Sequence, residues 1–126
     1  MMRKILLGLT IAAFACGAAT AQGIKRTPLQ KIDFPAGYTT VTAIAEIPAG
    51  GSAGRHTHPG VETGYVIEGE GELIIDGQPA KVLKPGESWA IPANTIHDAK
   101  VVGDKPLKIM AIYIVEKDKP LATPAP

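Results

Sequence analysis

The segment that decides the fold spans residues 50–69 and has the sequence GGSAGRHTHPGVETGYVIEG. It holds two of the chain's three histidines, His56 and His58, and an acidic residue, Glu62, four positions after the second. Alternate side chains of an extended strand point to the same face, so the two imidazoles are predicted to face one side together. The break at Pro59-Gly60 lets the chain bend, which is expected to return the Glu62 carboxylate toward them.

The third histidine, His97, lies in a second segment, residues 86–101, with the sequence GESWAIPANTIHDAKV. A turn predicted around Pro92 aims this imidazole at the same cavity. Three imidazoles and one carboxylate suit a borderline divalent transition metal, such as iron, manganese, nickel or zinc. The sequence therefore predicts one metal site, with the ligands His56, His58, Glu62 and His97.

Short runs rich in β-branched and aromatic residues predict strands along the rest of the chain. Asp76-Gly77 predicts a tight hairpin turn between two of them. Short strands at this spacing favour an antiparallel sandwich or barrel with a single core. The predicted strands are residues 38–47, 63–68, 72–75, 79–83, 88–91, 96–102 and 107–115.

The two histidine segments resemble the two sequence motifs of the cupin superfamily. The motif positions are filled by Gly50, His56, His58, Glu62 and Gly69 in the first segment, and by Gly86, Pro92 and His97 in the second. The chain departs from the usual pattern at Asn94, where glycine is common, and at Val101, where asparagine is common. The resemblance covers residues 38–115. It implies an all-β fold, the antiparallel double-stranded β-helix or jelly-roll barrel of cupins, with a metal held by the four residues named above.

The N-terminus has the pattern of a secretory signal peptide, predicted to span residues 1–21. Arg3-Lys4 is followed by an apolar run over residues 5–15 and then by Ala19-Thr20-Ala21, an A-x-A cleavage site. This pattern predicts a periplasmic or secreted protein. A lipid anchor at Cys16, the chain's one cysteine, and an uncleaved anchor are the alternatives.

Cleavage after residue 21 would leave a mature chain of about 105 residues, enough for one domain. Removing Arg3 and Lys4 from the 13 basic residues leaves 11 against 12 acidic ones, with no basic run. This balance argues against binding to nucleic acid or to an anionic membrane. The expected order is an N-terminal segment (22–37), a cupin domain (38–116) and a flexible, proline-rich tail (117–126).

The last predicted strand, LKIMAIYIV at residues 107–115, is apolar on both faces. A strand with one face in water would alternate between apolar and polar residues. Both faces therefore need cover, and a homodimer is predicted to supply it for one of them.

Three residues are predicted to contact a small-molecule ligand. Val66 shares strand parity with Glu62, Trp89 offers an aromatic wall, and Arg55 could clamp an anion at the mouth of the cavity. No histidine is left over as a general base, so Glu62 is also the candidate for proton transfer.

Four protein ligands leave coordination positions open on a metal that prefers five or six, and open positions are typical of catalytic sites. The known activities of cupins then imply a metal-dependent enzyme. The leading hypothesis is a dioxygenase-like reaction on a small oxygen-rich molecule. The alternatives are a non-catalytic cupin that binds metal or a small ligand, and a non-redox isomerase or decarboxylase.

Overall fold

The computed structural model of the chain describes residues 23–126. The predicted signal peptide and the alternative anchor at Cys16 lie outside the described residues. Within residues 23–126 no helix is long and apolar enough to cross a membrane. The described chain forms ten strands: β1 (Lys25–Ile32), β2 (Tyr38–Ile47), β3 (His56–Thr57), β4 (Gly60–Glu68), β5 (Glu70–Ile75), β6 (Lys81–Leu83), β7 (Ser88–Ile91), β8 (His97–Val102), β9 (Leu107–Glu116) and β10 (Thr123–Pro124).

The strands form two five-stranded sheets in which every pair is antiparallel. The first sheet has the order β1-β2-β9-β4-β7, and the second has the order β10-β3-β8-β5-β6. Strands that follow one another in sequence often belong to opposite sheets, as β3 and β4 do. This is the double-stranded β-helix that the sequence predicts, and the all-β fold class is confirmed.

Most strand bounds agree with the sequence prediction. Strands β2 and β7 begin and end at the predicted residues. Strand β4 begins earlier, at Gly60, because that residue already pairs with Val115 of β9. Asn94 has a φ of 58°, the left-handed conformation that asparagine tolerates better than most residues, so it serves in the turn where cupins often have glycine.

The core lies between the inward faces of the sheets. Strand β9 alternates along its length, with Leu107, Ile109, Ala111, Tyr113 and Val115 buried on one face. Beside β9 in the same sheet, strand β2 buries Ala43, Ala45 and Ile47. Burial of these apolar faces is the main driving force for closing the barrel.

Two glycines in β4 permit close packing near its start. A Cβ atom at Gly60 would overlap the backbone carbonyl of Ile114, and one at Gly64 would overlap the ring of Trp89. Both positions therefore require glycine for steric reasons. The absence of a side chain at Gly64 lets the indole of Trp89 lie across β4 and reach Glu62.

Both ends of the described chain join the sheets. The N-terminal segment, which the sequence left unplaced, forms β1 and pairs with β2. The tail that was predicted to be flexible instead contributes β10, which pairs with β3. Two further bonds hold it: Ala125 donates its backbone N–H to Arg55 O at 2.9 Å, and Arg55 Nε donates to Pro126 O at 2.6 Å.

The outer face of the first sheet carries exposed apolar side chains. Val61 of β4 and Ile114 of β9 are directly opposite in register and are 40% and 36% exposed, and Tyr65 is 46% exposed. Met110 and Ile112 of β9 are half-buried on the same face. An apolar sheet face of this kind is typical of a protein interaction surface.

We predict that the mature protein is a dimer through this face. Sedimentation velocity should give a dimer for the wild type and a folded monomer for the double variant Val61→Lys, Ile114→Lys, because two facing cations cannot be buried without partners. Val82→Lys, at a residue 43% exposed on the other sheet, is the matched control and should stay dimeric. A monomeric wild type would contradict the prediction.

Candidate metal centre

Four polar side chains from both sheets meet inside the barrel. His56 lies on β3 and His97 on β8, directly opposite each other in register, while Glu62 reaches in from β4 of the other sheet. His58 follows β3, just before the chain turns into β4. One ligand atom from each residue lies within 4.8 Å of all the others, and all four residues are buried. The structure thus brings together the whole predicted ligand set.

The backbone fixes the orientation of each imidazole. The Nδ1 atom lies 2.6 Å from Gly54 O in His56, 2.6 Å from Leu121 O in His58 and 2.8 Å from Thr95 O in His97. A carbonyl oxygen only accepts hydrogen bonds, so each Nδ1 is assigned as the protonated nitrogen. Each Nε2 atom therefore turns its lone pair into the cluster, which is the arrangement usual for metal-binding histidines.

The donor atoms have the separations expected around one ion. His56 Nε2 and His58 Nε2 are 3.1 Å apart, and Glu62 Oε2 is 2.9 Å from His58 Nε2 and 3.2 Å from His97 Nε2. Two donors about 2.1 Å from one ion, at right angles to each other, lie about 3.0 Å apart. Buried lone pairs this close repel unless a proton or a metal ion lies among them. The cluster therefore fits, and suggests, a divalent metal site.

Titration properties agree with this assignment. Burial lowers the pKa of His56 to about 4, although its bond to Gly54 acts in the opposite direction. Burial raises the pKa of Glu62, but the His58 and His97 imidazoles beside its carboxylate outweigh this effect and bring the value down to about 2. At neutral pH, His56 is thus neutral and Glu62 is ionised, which are the states that bind a metal.

Two further residues, which the sequence did not predict, lie next to the metal-binding cluster. Arg26 of β1 donates from Nε to Tyr113 Oη at 3.2 Å, and its Nη2 lies 3.3 Å from His56 Nε2. Burial and the Glu62 charge raise the pKa of Tyr113 to about 12, so the phenol keeps its proton. No local motif marks either residue, because both reach the cluster only through sheet pairing.

The predicted ligand-contact residues have different outcomes. Val66 and Trp89 lie in the wall of a cavity of about 30 Å³. The same wall includes His56, Glu62 and His97. Trp89 Nε1 is 3.4 Å from Glu62 Oε1 and helps to orient that carboxylate. Arg55 is outside the cavity, paired with Asp76 at 2.9 Å on the surface, because its neighbour His56 takes the inward face of the strand. Arg26 is the arginine in the cavity wall.

A family model described as "Cupin domain" matches residues 43–113. The chain belongs to the cupin family. An uncharacterised protein of Methanocaldococcus jannaschii is 35% identical to this cupin over 69 residues, 54% of each chain. The dimethylsulfoniopropionate lyase DddQ of Ruegeria pomeroyi is 27% identical over 70 residues, 56% of this chain and 34% of the lyase. This cupin thus matches about half of the first relative's length and a third of the second's.

Solved structures share the fold. A Klebsiella pneumoniae protein with a double-stranded β-helix domain superposes with a TM-score of 0.67 at 19% identity, over 84% of this cupin and 90% of that chain. The crystal structure of DddQ gives 0.71 at 21% identity, over 94% and 59%. A recombinant oxalate oxidase in complex with glycolate gives 0.68 at 22% identity, over 84% and 57%.

We predict that the tail raises metal affinity through Leu121. Ending the chain after Pro120 removes the carbonyl that orients His58, and loss of such a partner typically weakens metal binding about 10- to 100-fold. A metal competition titration against a chromogenic chelator measures the change. Deleting only Ala125 and Pro126 is the matched control, because it keeps Leu121 and β10, and it should bind metal like the full chain. Equal affinities for all three proteins would contradict the prediction.

We also predict that the metal-free protein loses stability as the pH falls from about 6.5 to 4. His56 takes up a proton near pH 6.5 when unfolded but only near pH 4 when folded, so acid favours the unfolded chain in this window. Glu62 extends the loss below pH 4.5, since its folded pKa is about 2.

Urea unfolding in excess chelator at several pH values tests this prediction. His56→Gln, which removes the titrating group, should flatten the dependence between pH 6.5 and 4.5. Identical slopes for the variant and the wild type would refute the assignment to His56.

Proposed function

We propose that this protein is an exported, metal-dependent cupin enzyme that acts on a small oxygen-rich molecule. Oxidative, dioxygenase-like chemistry is the first reaction to test. The observation that carries the proposal is the buried cluster of three imidazoles and one carboxylate, of which His56, Glu62 and His97 form part of the wall of a small cavity. A purely structural site would not need a cavity beside it.

The residues in and around the cluster suit different roles in such an enzyme. A divalent ion bound there supplies Lewis acidity or, if redox-active, electron transfer. A carboxyl group with a pKa of about 2 is a weak base, so Glu62 suits the role of ligand better than that of proton acceptor. Tyr113 keeps its proton and can donate a hydrogen bond to a substrate oxygen. Apolar walls, including Leu83, Leu107 and Ile109, limit the access of water.

Known proteins of the same fold support small oxygen-rich substrates. Oxalate oxidase, crystallised in complex with glycolate, has this fold, and so does DddQ, a dimethylsulfoniopropionate lyase. The oxidase favours the redox proposal. The lyase favours a second candidate, a non-redox lyase, isomerase or decarboxylase that uses the same cluster. A non-catalytic binding cupin is the third.

Turnover with different metals separates these candidates. The mature protein would be loaded in turn with Fe(II), Mn(II), Ni(II) and Zn(II) and assayed against small hydroxy acids, dicarboxylates and phenolic compounds. Oxygen uptake and product formation would be measured in parallel, with His58→Ala as the metal-site control. The proposal predicts oxygen uptake with iron or manganese that is lost in His58→Ala.

Each other result identifies a different candidate. Product formation with redox-inert Zn(II), without oxygen uptake, would favour the lyase, isomerase or decarboxylase. Binding of substrates without product under any metal would overturn the enzyme proposal and leave a binding protein.

A further inference from the structure

A cation lies beside the metal-binding cluster without an acidic partner. Arg26 projects from β1 into the barrel and is half-buried, whereas its neighbour Lys25 is exposed. The guanidinium lies 5.9 Å from the centre of the Tyr113 ring, donates to the Tyr113 hydroxyl, and has Nη2 near His56 Nε2. None of the ion pairs among residues 23–126 includes Arg26.

The charges in the cavity do not balance once a metal binds. Arginine keeps its proton in proteins, so Arg26 contributes one positive charge. A divalent ion adds two, the three histidines are neutral as ligands, and Glu62 contributes one negative charge. The centre then has an excess of two positive charges in a cavity with mainly apolar walls. Uncompensated buried charge is unfavourable in free energy, so the site favours an anionic ligand.

We propose that Arg26 and the metal centre together bind the carboxylate group of a small organic acid. The inference rests on the proposed metal site and names the substrate class that the site accepts. A metal held by His56 would use the Nε2 lone pair that Arg26 Nη2 now contacts, so the guanidinium would keep donors free for a ligand. The planar guanidinium matches a carboxylate in shape and donor spacing.

The rest of the cavity limits what is attached to the carboxylate. The cavity is small, about 30 Å³, and this favours a short ligand. Leu83, Leu107 and Ile109 in its wall favour an apolar remainder, and Tyr113 offers one further hydrogen-bond donor. A short-chain carboxylic acid meets all three conditions, while its neutral amide lacks the charge.

Binding to the Co(II)-loaded protein tests the proposal without any assay of turnover. Propionate and its neutral counterpart propionamide would be titrated by calorimetry and by the visible Co(II) spectrum, with metal content measured for every sample. The variants are Arg26→Gln, which removes the charge, and Arg26→Lys, which keeps the charge but loses the planar fork. Lys25→Gln is the matched control, since it removes a charge from the adjacent, exposed position.

The expected result is that propionate binds at least tenfold more tightly than propionamide and perturbs the Co(II) spectrum. Arg26→Gln should lower propionate affinity at least tenfold with metal content unchanged, Arg26→Lys should lie between, and Lys25→Gln should match the wild type. Equal affinity for propionate and propionamide in the wild type, or unaltered propionate binding in Arg26→Gln, would overturn the proposal.

The outcome is independent of the proposed catalysis. Arg26-dependent propionate binding without turnover of any substrate would sustain the carboxylate site and reject the enzyme. Turnover that is unchanged in Arg26→Gln would reject the carboxylate site and sustain the enzyme.

Discussion

Three imidazole nitrogens and one carboxylate oxygen, each with a lone pair turned inward, share a space less than 5 Å across between two sheets. Buried acceptors at these separations repel one another. A cation among them would turn the repulsion into attraction, so the cluster is suited to hold a metal ion. The backbone carbonyls that fix the tautomer of each histidine serve this arrangement.

The barrel brings these four donor atoms together because it holds the two sheets close to each other. His56 and His97 are opposite each other on neighbouring strands of one sheet, and Glu62 comes from the other, so the cluster depends on the correct closure of the barrel. Glycines in β4 make room for β9 and for the Trp89 ring within the first sheet, and backbone carbonyls from three separate segments orient the imidazoles. One of those carbonyls belongs to Leu121, which ties the C-terminal tail to the chemistry of the site.

The sequence predicted the strands and the ligands well because both depend on local patterns. Runs of β-branched residues and the Asp76-Gly77 turn mark the strands, and the histidine spacing marks the site. It did not predict Arg26 or Leu121, since their contacts arise from pairing between residues far apart in the chain. Arg55 was a candidate anion clamp, although strand alternation already predicted an outward side chain; it pairs with Asp76 on the surface, and Arg26 lies in the cavity wall. The prolines of the tail predict a flexible segment, and the pairing of β10 with β3 was not predicted because it depends on residues far apart in the chain.

The proposed function requires that one metal ion be held by all four residues of the cluster. X-ray absorption spectroscopy of the mature protein, purified with its own metal, tests that requirement most directly. We predict one metal per chain with three imidazole nitrogens and a carboxylate oxygen at about 2.0–2.2 Å. A substoichiometric metal content after purification without chelators, or a coordination shell that lacks imidazole, would contradict the account.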